Sequence, residues 1–295
     1  MLPEYPNFKT LELSDLGKII SHFKNHKATV CELAVANLFI WQEFDHPRLT
    51  IINDNLCILI TPLNEPPFFL EPIGKNKLIE TVAICLKDSG RLARLSEEFL
   101  FHLPIENYHV VCSRDQSDYV YERRALAELK GKKYDGKRNH INSFERRHQD
   151  YIFGPLKPEQ KESCLNLFEN WFAMRKESRH FPRLAYTSQK AAVEKAFEYF
   201  NALKLIGEAI IINGQFEGFI LGSPLNEETI TVHFLYALPN HRGIFQVLLW
   251  HACNNTFRGY KSINLEQDLG IPGLRKAKLS YQPQHIEKKF ELKNK

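Results

Sequence analysis

From Leu203 to Leu265 the chain reads LKLIGEAIIINGQFEGFILGSPLNEETITVHFLYALPNHRGIFQVLLWHACNNTFRGYKSINL. Two apolar runs, LKLIGEAIII and QFEGFIL, flank Asn213-Gly214. Asn-Gly is the strongest short hairpin signal, because both central residues of a type I′ turn take positive φ. A further turn at Asn226–Glu228 leads into TITVHFLYALP, which reads as a third strand over 229–239. Residues 243–258 then place Phe245, Leu248, Leu249, Ala252, Cys253 and Phe257 on one continuous helical stripe. Lys261–Leu265 reads as another strand. A strand, a helix and a strand of this total length make a right-handed βαβ unit.

Working outward, the spacing predicts helices over 159–177 and 188–203, the first with Leu165, Phe168, Trp171 and Phe172 on one face. The order is therefore helix, helix, three-strand meander, helix, parallel strand. The N-terminal half shows the same order. Helical patterns cover 14–24 and 32–44. RLTII and LCILI form a hairpin turning at Asn53–Asn55. Pro67–Pro72 reads as a third strand, 75–87 as a helix and YHVVC (108–112) as the following strand. The expected fold class is α/β with mixed sheets, in two similar domains over 1–150 and 151–295.

Apolar residues make up 43% of the 295 residues and charged residues 25%, which argues against disorder. No apolar run approaches the ~18 residues needed to span a bilayer, and the start MLPEYPNFKT lacks the features of a secretory signal. The six cysteines are far apart with no C-x-x-C, the pattern of a reduced, cytoplasmic protein without a metal cluster.

Net charge is +4, but Arg123–His148 holds nine Lys/Arg against three acids, and Arg275–Lys295 holds seven against two. Such segments attract an anionic partner such as phosphate or nucleic acid, or else form a solvated face and a polar tail.

Three stretches carry candidate chemistry. At Leu238-Pro239-Asn240-His241-Arg242-Gly243, a helix N-terminus with Arg242 and a permissive Gly243 suits phosphate; Asn240 as a simple N-cap is the plain alternative. In Asn264-Leu265-Glu266-Gln267-Asp268-Leu269-Gly270, two acids follow a parallel strand, where ligands of α/β sheets collect. Glu266 or Asp268 can take a proton from a nucleophile, or serve as ion-pair partner and cap. Farther on, Lys278 can hold phosphate and Tyr281 can protonate a leaving group, or be an ordinary half-buried tyrosine. A helix stripe of Ile141, Phe144, His148 and Tyr151 leaves Arg138, Asn142 and Arg146 on the other side.

The phrases Tyr119-Val-Tyr-Glu, Leu126-x-x-Leu129-x-Gly131-x-Lys133 and Gly136-Lys137-Arg138-Asn139-His140-Ile141-Asn142-x-Phe144 resemble a bacterial family of unknown function. It is related to the C-terminal region of phosphatidylglycerol lysyltransferase. Asn264-x-Glu266-Gln-Asp268-Leu-Gly270, Gly273-Leu-Arg275-Lys-Ala-Lys278-x-Ser280-Tyr281-x-Pro283 and Glu32-x-x-x-x-Asn37-Leu38-x-x-Trp41 resemble the same family. The resemblance implies tandem GNAT-like acyltransferase domains, 1–150 and 151–295, the second carrying the site. It implies transfer of an acyl or aminoacyl group from an activated donor, aminoacyl-tRNA or an acyl-CoA, to an amine or hydroxyl of a small acceptor.

On this reading Glu266, Asp268 and Tyr281 are catalytic. Arg242, Gly243, Arg275, Lys278, Lys137, Arg138, Asn139, His140 and Asn142 hold the donor's phosphates, and no metal is required. GNAT enzymes that use coenzyme A carry a richer glycine turn, whereas here Asn240-His241-Arg242-Gly243-Ile244-Phe245 keeps one glycine and ends on Phe. This favours aminoacyl-tRNA over coenzyme A. The rival expectation is a non-catalytic anion- or RNA-binding module with a decayed donor site.

Overall fold

The computed structural model describes residues 1–176 and 183–295. The chain forms two compact units. Unit 1 comprises Met1–Asp118, Gln267–Pro272 and Ile286–Lys295; unit 2 comprises Tyr119–Glu266 and Gly273–His285.

Unit 1 contains β1 (Lys9–Thr10), α1 (Leu16–Phe23), α2 (Val35–Ile40), α3 (Gln42–Asp45), β2 (Arg48–Ile52), β3 (Asn55–Ile60), β4 (Phe68–Phe69), α4 (Leu78–Ser89), β5 (Leu92–Ser96), α5 (Glu97–Leu100), β6 (Tyr108–Cys112) and the C-terminal β14 (Lys289–Asn294). Its sheet runs β1–β2–β3–β4–β5–β14–β6. The first hairpin turns on Asn53 and Asp54, both at positive φ. The expected helix over 32–44 is two short helices that part at Trp41.

Two expectations are corrected here. The strand parallel to β4 across helix α4 is β5, not YHVVC. Arg91 and Arg94 interrupt the apolar alternation that would have marked β5. YHVVC is instead β6, an edge strand that pairs antiparallel with β14. The basic C-terminal segment is therefore no solvated tail. Leu292 lies in the core with Phe69, Val82 and Leu95, and Lys289 is fully buried.

Unit 2 contains β7 (Asp118–Glu122, counted from Tyr119), α6 (Arg123–Glu128), α7 (Asp135–Arg147), β8 (Tyr151–Pro155), α8 (Lys161–Lys176), α9 (Arg183–Glu198), β9 (Ile206–Ile212), β10 (Gln215–Pro224), β11 (Thr229–Ala237), α10 (Ile244–Asn254), β12 (Ser262–Asn264), α11 (Pro272–Leu279, counted from Gly273) and the start of β13 (His285–Glu287, of which His285 falls in this unit). Its sheet runs β13–β7–β12–β11–β10–β9–β8. The meander β9–β10–β11 is antiparallel, and β12 returns parallel to β11 across α10. Asn213 and Gly214 both take positive φ, as a type I′ turn requires.

Leu165, Phe168, Trp171 and Phe172 are buried, as are Leu248, Leu249, Ala252, Cys253 and Phe257. Residue 177, the last of the expected 159–177 helix, lies outside the described residues. Helix α7 ends at Arg147, so Tyr151 leaves the expected stripe and belongs to β8. A cut after residue 150 falls inside unit 2, between α7 and β8. The 123–148 segment stays with unit 2 because α6 and α7 pack on α10. Trp250 Nε1 donates to Ala127 O at 2.9 Å, and Arg123 Nη1 donates to Cys253 O at 3.0 Å.

Both units thus carry the order meander, helix, parallel strand, in two mixed sheets.

Candidate active site

The site grows from strand register. Parallel strands β11 and β12 pair Thr231 with Asn264. Two residues further along each strand stand His233 and Glu266, and His233 Nδ1 lies 3.1 Å from Glu266 Oε1. On the other side β10 pairs Gly222 with Val232 but Leu221 with Phe234, so His233 is the extra residue of a β-bulge. Bulges re-aim side chains. Here His233 Nε2 comes 2.7 Å from Ser223 Oγ. A Cβ on Gly222 would meet Thr231 O at 2.4 Å, so the glycine permits this close strand approach. The result is a string, Ser223–His233–Glu266. Ser223 is 1% exposed and the His233 side chain 0%, whereas the Glu266 side chain keeps 15%.

Glu266 sits just past the end of β12 with φ +56°, the left-handed region that a non-glycine residue enters at a cost of ~1–2 kcal/mol. Three hydrogen bonds hold it there. Its N–H donates to Asn264 Oδ1 at 2.7 Å, and its carbonyl accepts from Tyr119 N at 3.2 Å and Lys278 Nζ at 3.2 Å. Strained residues that the surroundings over-determine cluster at functional sites.

Lys278 also donates to Leu265 O at 2.5 Å, and its own carbonyl accepts from Tyr121 Oη at 2.7 Å. Tyr121 meets Tyr281 edge-on at 6.4 Å, and Lys137 Nζ lies 3.6 Å above the Tyr281 ring while donating to Ser280 Oγ at 2.6 Å. Burial pushes the Tyr121 and Tyr281 phenols up, so both keep their protons at neutral pH. Burial also lowers Lys137 to about 8. Glu266, Lys278, Tyr281 and Lys137 are therefore linked through side-chain and backbone contacts within unit 2.

Residues 23–293 match the family described as "Phosphatidylglycerol lysyltransferase, C-terminal". The chain belongs to this family. The crystal structure of a conserved protein of unknown function from Bacteroides thetaiotaomicron VPI-5482 is similar over 100% of both chains, with 30% identity and a TM-score of 0.88. L-PGS from Bacillus licheniformis is similar over 100% of this chain and 94% of its own, with 14% identity and a TM-score of 0.65. A C-terminal DUF2156 domain from Agrobacterium fabrum is similar over 96% of this chain and 93% of its own, with 12% identity and a TM-score of 0.67. The last two likenesses show a shared fold. Among the described residues, no helix is long and apolar enough to cross a membrane.

In this lysyltransferase-family chain the other candidate residues are placed as follows. Asp268 belongs to unit 1 and is fully buried; Oδ1 accepts from Gly270 N at 2.8 Å and Oδ2 faces Arg114 Nη1 at 3.3 Å. It shapes a turn, and the structure does not group it with Glu266, which falls in unit 2. Arg138 is turned onto local partners, the Leu129 and Gly131 carbonyls and Asp135. Lys278 is likewise held on carbonyls.

Gly243 is the N-cap of α10 at φ +98°, which displaces Asn240 from that role. A Cβ there would meet His140 O at 2.4 Å, so the glycine's space is taken by the backbone of α7. Arg242 is exposed. Burial, then the charges of Arg242 and Lys137, lowers the His140 imidazole. Asn139 and Asn142 are exposed on α7, and Arg275 is half-buried on α11.

Unit 1 has its own buried charge cluster. Cys31 Sγ, Glu32 and Asp118 come close enough together to surround a cation. Lys289 Nζ lies among them, at 3.3 Å from Cys31 Sγ, 2.5 Å from Glu32 and 2.6 Å from Asp118. The ammonium supplies the positive charge that these buried groups require.

Sequence reasoning reached Glu266, Lys278, Tyr281 and Lys137 but missed His233, Ser223 and Tyr121. A signal was present. Thr229, Thr231 and His233 are polar at every second position of strand β11, which sets three polar groups on one face.

Proposed function

We propose that the chain is an acyl- or aminoacyltransferase whose acceptor is activated by Glu266. The observation that carries this reading is the Glu266–His233–Ser223 string at the end of parallel strand β12. A partly exposed carboxylate is held there in a strained conformation. An amine or hydroxyl acceptor gives its proton to the Glu266 carboxylate as its N or O bonds to the donor carbonyl carbon. The bond from that carbon to the donor oxygen or sulfur then breaks, and Tyr281 protonates the departing atom. Attack on an activated ester of this kind needs positioning and proton transfer.

The family's name links relatives to lysyl transfer onto phosphatidylglycerol, a hydroxyl acceptor, and the same base suits a hydroxyl or an amine. Aminoacyl-tRNA is the preferred donor. The turn at Gly243 keeps a single glycine and ends on Phe245, and its Cβ side is packed against the His140 carbonyl, which favours this donor over coenzyme A. Exposed Arg124, Lys130, Lys132, Lys133, Arg146 and Arg147 offer phosphate contacts instead.

The test is donor consumption. Purified protein is incubated with mixed aminoacyl-tRNAs or acyl-CoAs and a broad acceptor panel, and loss of the ester or thioester is followed. Donor-dependent loss that requires an acceptor supports the reading. Rates equal to the protein-free control with both donor classes contradict it.

A further inference from the structure

We infer that Ser223 and His233 are positioning residues: Ser223 pairs the far nitrogen of the His233 ring and so fixes the orientation in which His233 holds Glu266 as a base. This rests on the reading of Glu266 as the acceptor's base.

The argument is one of donors, acceptors and access. An ionised carboxylate only accepts hydrogen bonds, so the 3.1 Å approach of His233 Nδ1 to Glu266 Oε1 requires the hydrogen on Nδ1. In the neutral ring, Nε2 is then the acceptor, and the Ser223 hydroxyl at 2.7 Å donates to it. The carboxylate thereby selects the Nδ1–H form, and Ser223, whose hydroxyl can turn to donate, pairs the far ring nitrogen and holds the imidazole's orientation.

Burial separates this arrangement from a nucleophilic serine. Ser223 is 1% exposed and the His233 side chain 0%, so an acyl donor meets neither; exposure begins only at Glu266. The pair acts through Glu266. The β-bulge at His233 is what lets one imidazole reach β10 on one side and the end of β12 on the other.

The test uses the full-length chain labelled with ¹⁵N. His233 is assigned by the signals lost in His233→Gln, and long-range ¹H–¹⁵N spectra at pH 8 report which ring nitrogen carries hydrogen. The expected result is the Nδ1–H form, with Ser223→Ala moving the ¹⁵N shift of Nε2 as it loses its hydrogen bond. A wild-type ring protonated on Nε2 alone, or an Nε2 signal indifferent to Ser223→Ala, overturns the inference.

A kinetic arm separates positioning from simple structural support. His233→Asn keeps a donor near the Nδ1 position, whereas His233→Gln places its amide near Nε2. Positioning predicts that kcat falls tenfold or more in His233→Gln and is restored at least threefold in His233→Asn, with KM unchanged. A kcat that follows only the melting temperature of each variant overturns the inference. If wild-type protein transfers nothing, the transferase reading fails, and the spectra still decide whether Ser223 holds the imidazole through Nε2.

Discussion

His233 Nδ1 stands 3.1 Å from Glu266 Oε1, each residue two positions past the last paired rung of its own strand in a parallel pair. Because β12 ends at Asn264, Glu266 escapes the sheet while its partner remains inside it. A buried ring therefore supports a carboxylate that solvent can reach.

Glu266→Gln keeps the size and one hydrogen-bonding oxygen but loses the base. General-base catalysis contributes about 10²–10⁴-fold, so kcat should fall within that range. The melting temperature should stay within a few degrees of wild type. A rate within twofold of wild type would exclude Glu266 as the base.

Lys137 should behave as an unusually reactive amine. Burial disfavours its charged form and lowers it to about 8. Raising the pH through about 8 should therefore expose the neutral amine, where a lysine in water stays charged to about 10.4. Competitive acylation with a small reagent, read by mass spectrometry, should give these two midpoints. Indistinguishable midpoints would contradict the burial described for Lys137.

Lys289→Met removes the ammonium that balances Glu32 and Asp118. Breaking a buried ion pair from one side costs about 3–5 kcal/mol. Urea unfolding should show a loss of that size. Since the cluster lies in unit 1, the fluorescence of Trp41 should report it before any probe of α8.

Gly243→Ala forces a side chain into positive φ and against His140 O at 2.4 Å. The backbone term alone is about 1–3 kcal/mol, and the clash adds to it. The variant should lose at least that much stability. A stability equal to wild type would mean that α7 does not pack on this turn.

If donor RNA tracks the basic helices, Arg146→Ala and Arg147→Ala should weaken tRNA binding similarly for all sequences. Each lost phosphate contact should reduce the slope of log affinity against log salt by about 1. A flat salt dependence in the wild type would argue against RNA.

The elements that could be read from sequence are those whose signal is local. Asn213-Gly214 announces its turn through φ alone, and the α10 stripe through spacing alone. Elements set by distant partners stayed hidden. Strand β14 is rich in lysine and looks like a tail until Glu32 and Asp118 neutralise Lys289 and β5 and β6 close around it. Strand β5 was masked by Arg91 and Arg94, which pair with Glu65 and stack on Phe68.

The site divides in the same way. Glu266 and Tyr281 lie in a motif that resembles the family's, so their stretch could be marked. His233 and Ser223 join Glu266 through a bulge and a parallel register, which no run of residues encodes. The same limit misplaced Asp268: its spacing suits catalysis as well as Glu266, but its Arg114 partner lies 154 residues away.

The most direct test of the central claim is the rate of aminoacyl-ester or thioester loss in a matched comparison of wild type and Glu266→Gln with an acceptor panel present. Acceptor-dependent consumption by wild type, reduced at least a hundredfold in Glu266→Gln at unchanged fold, is the predicted result. Equal rates for the two proteins, or no consumption of either donor class above background, would contradict it.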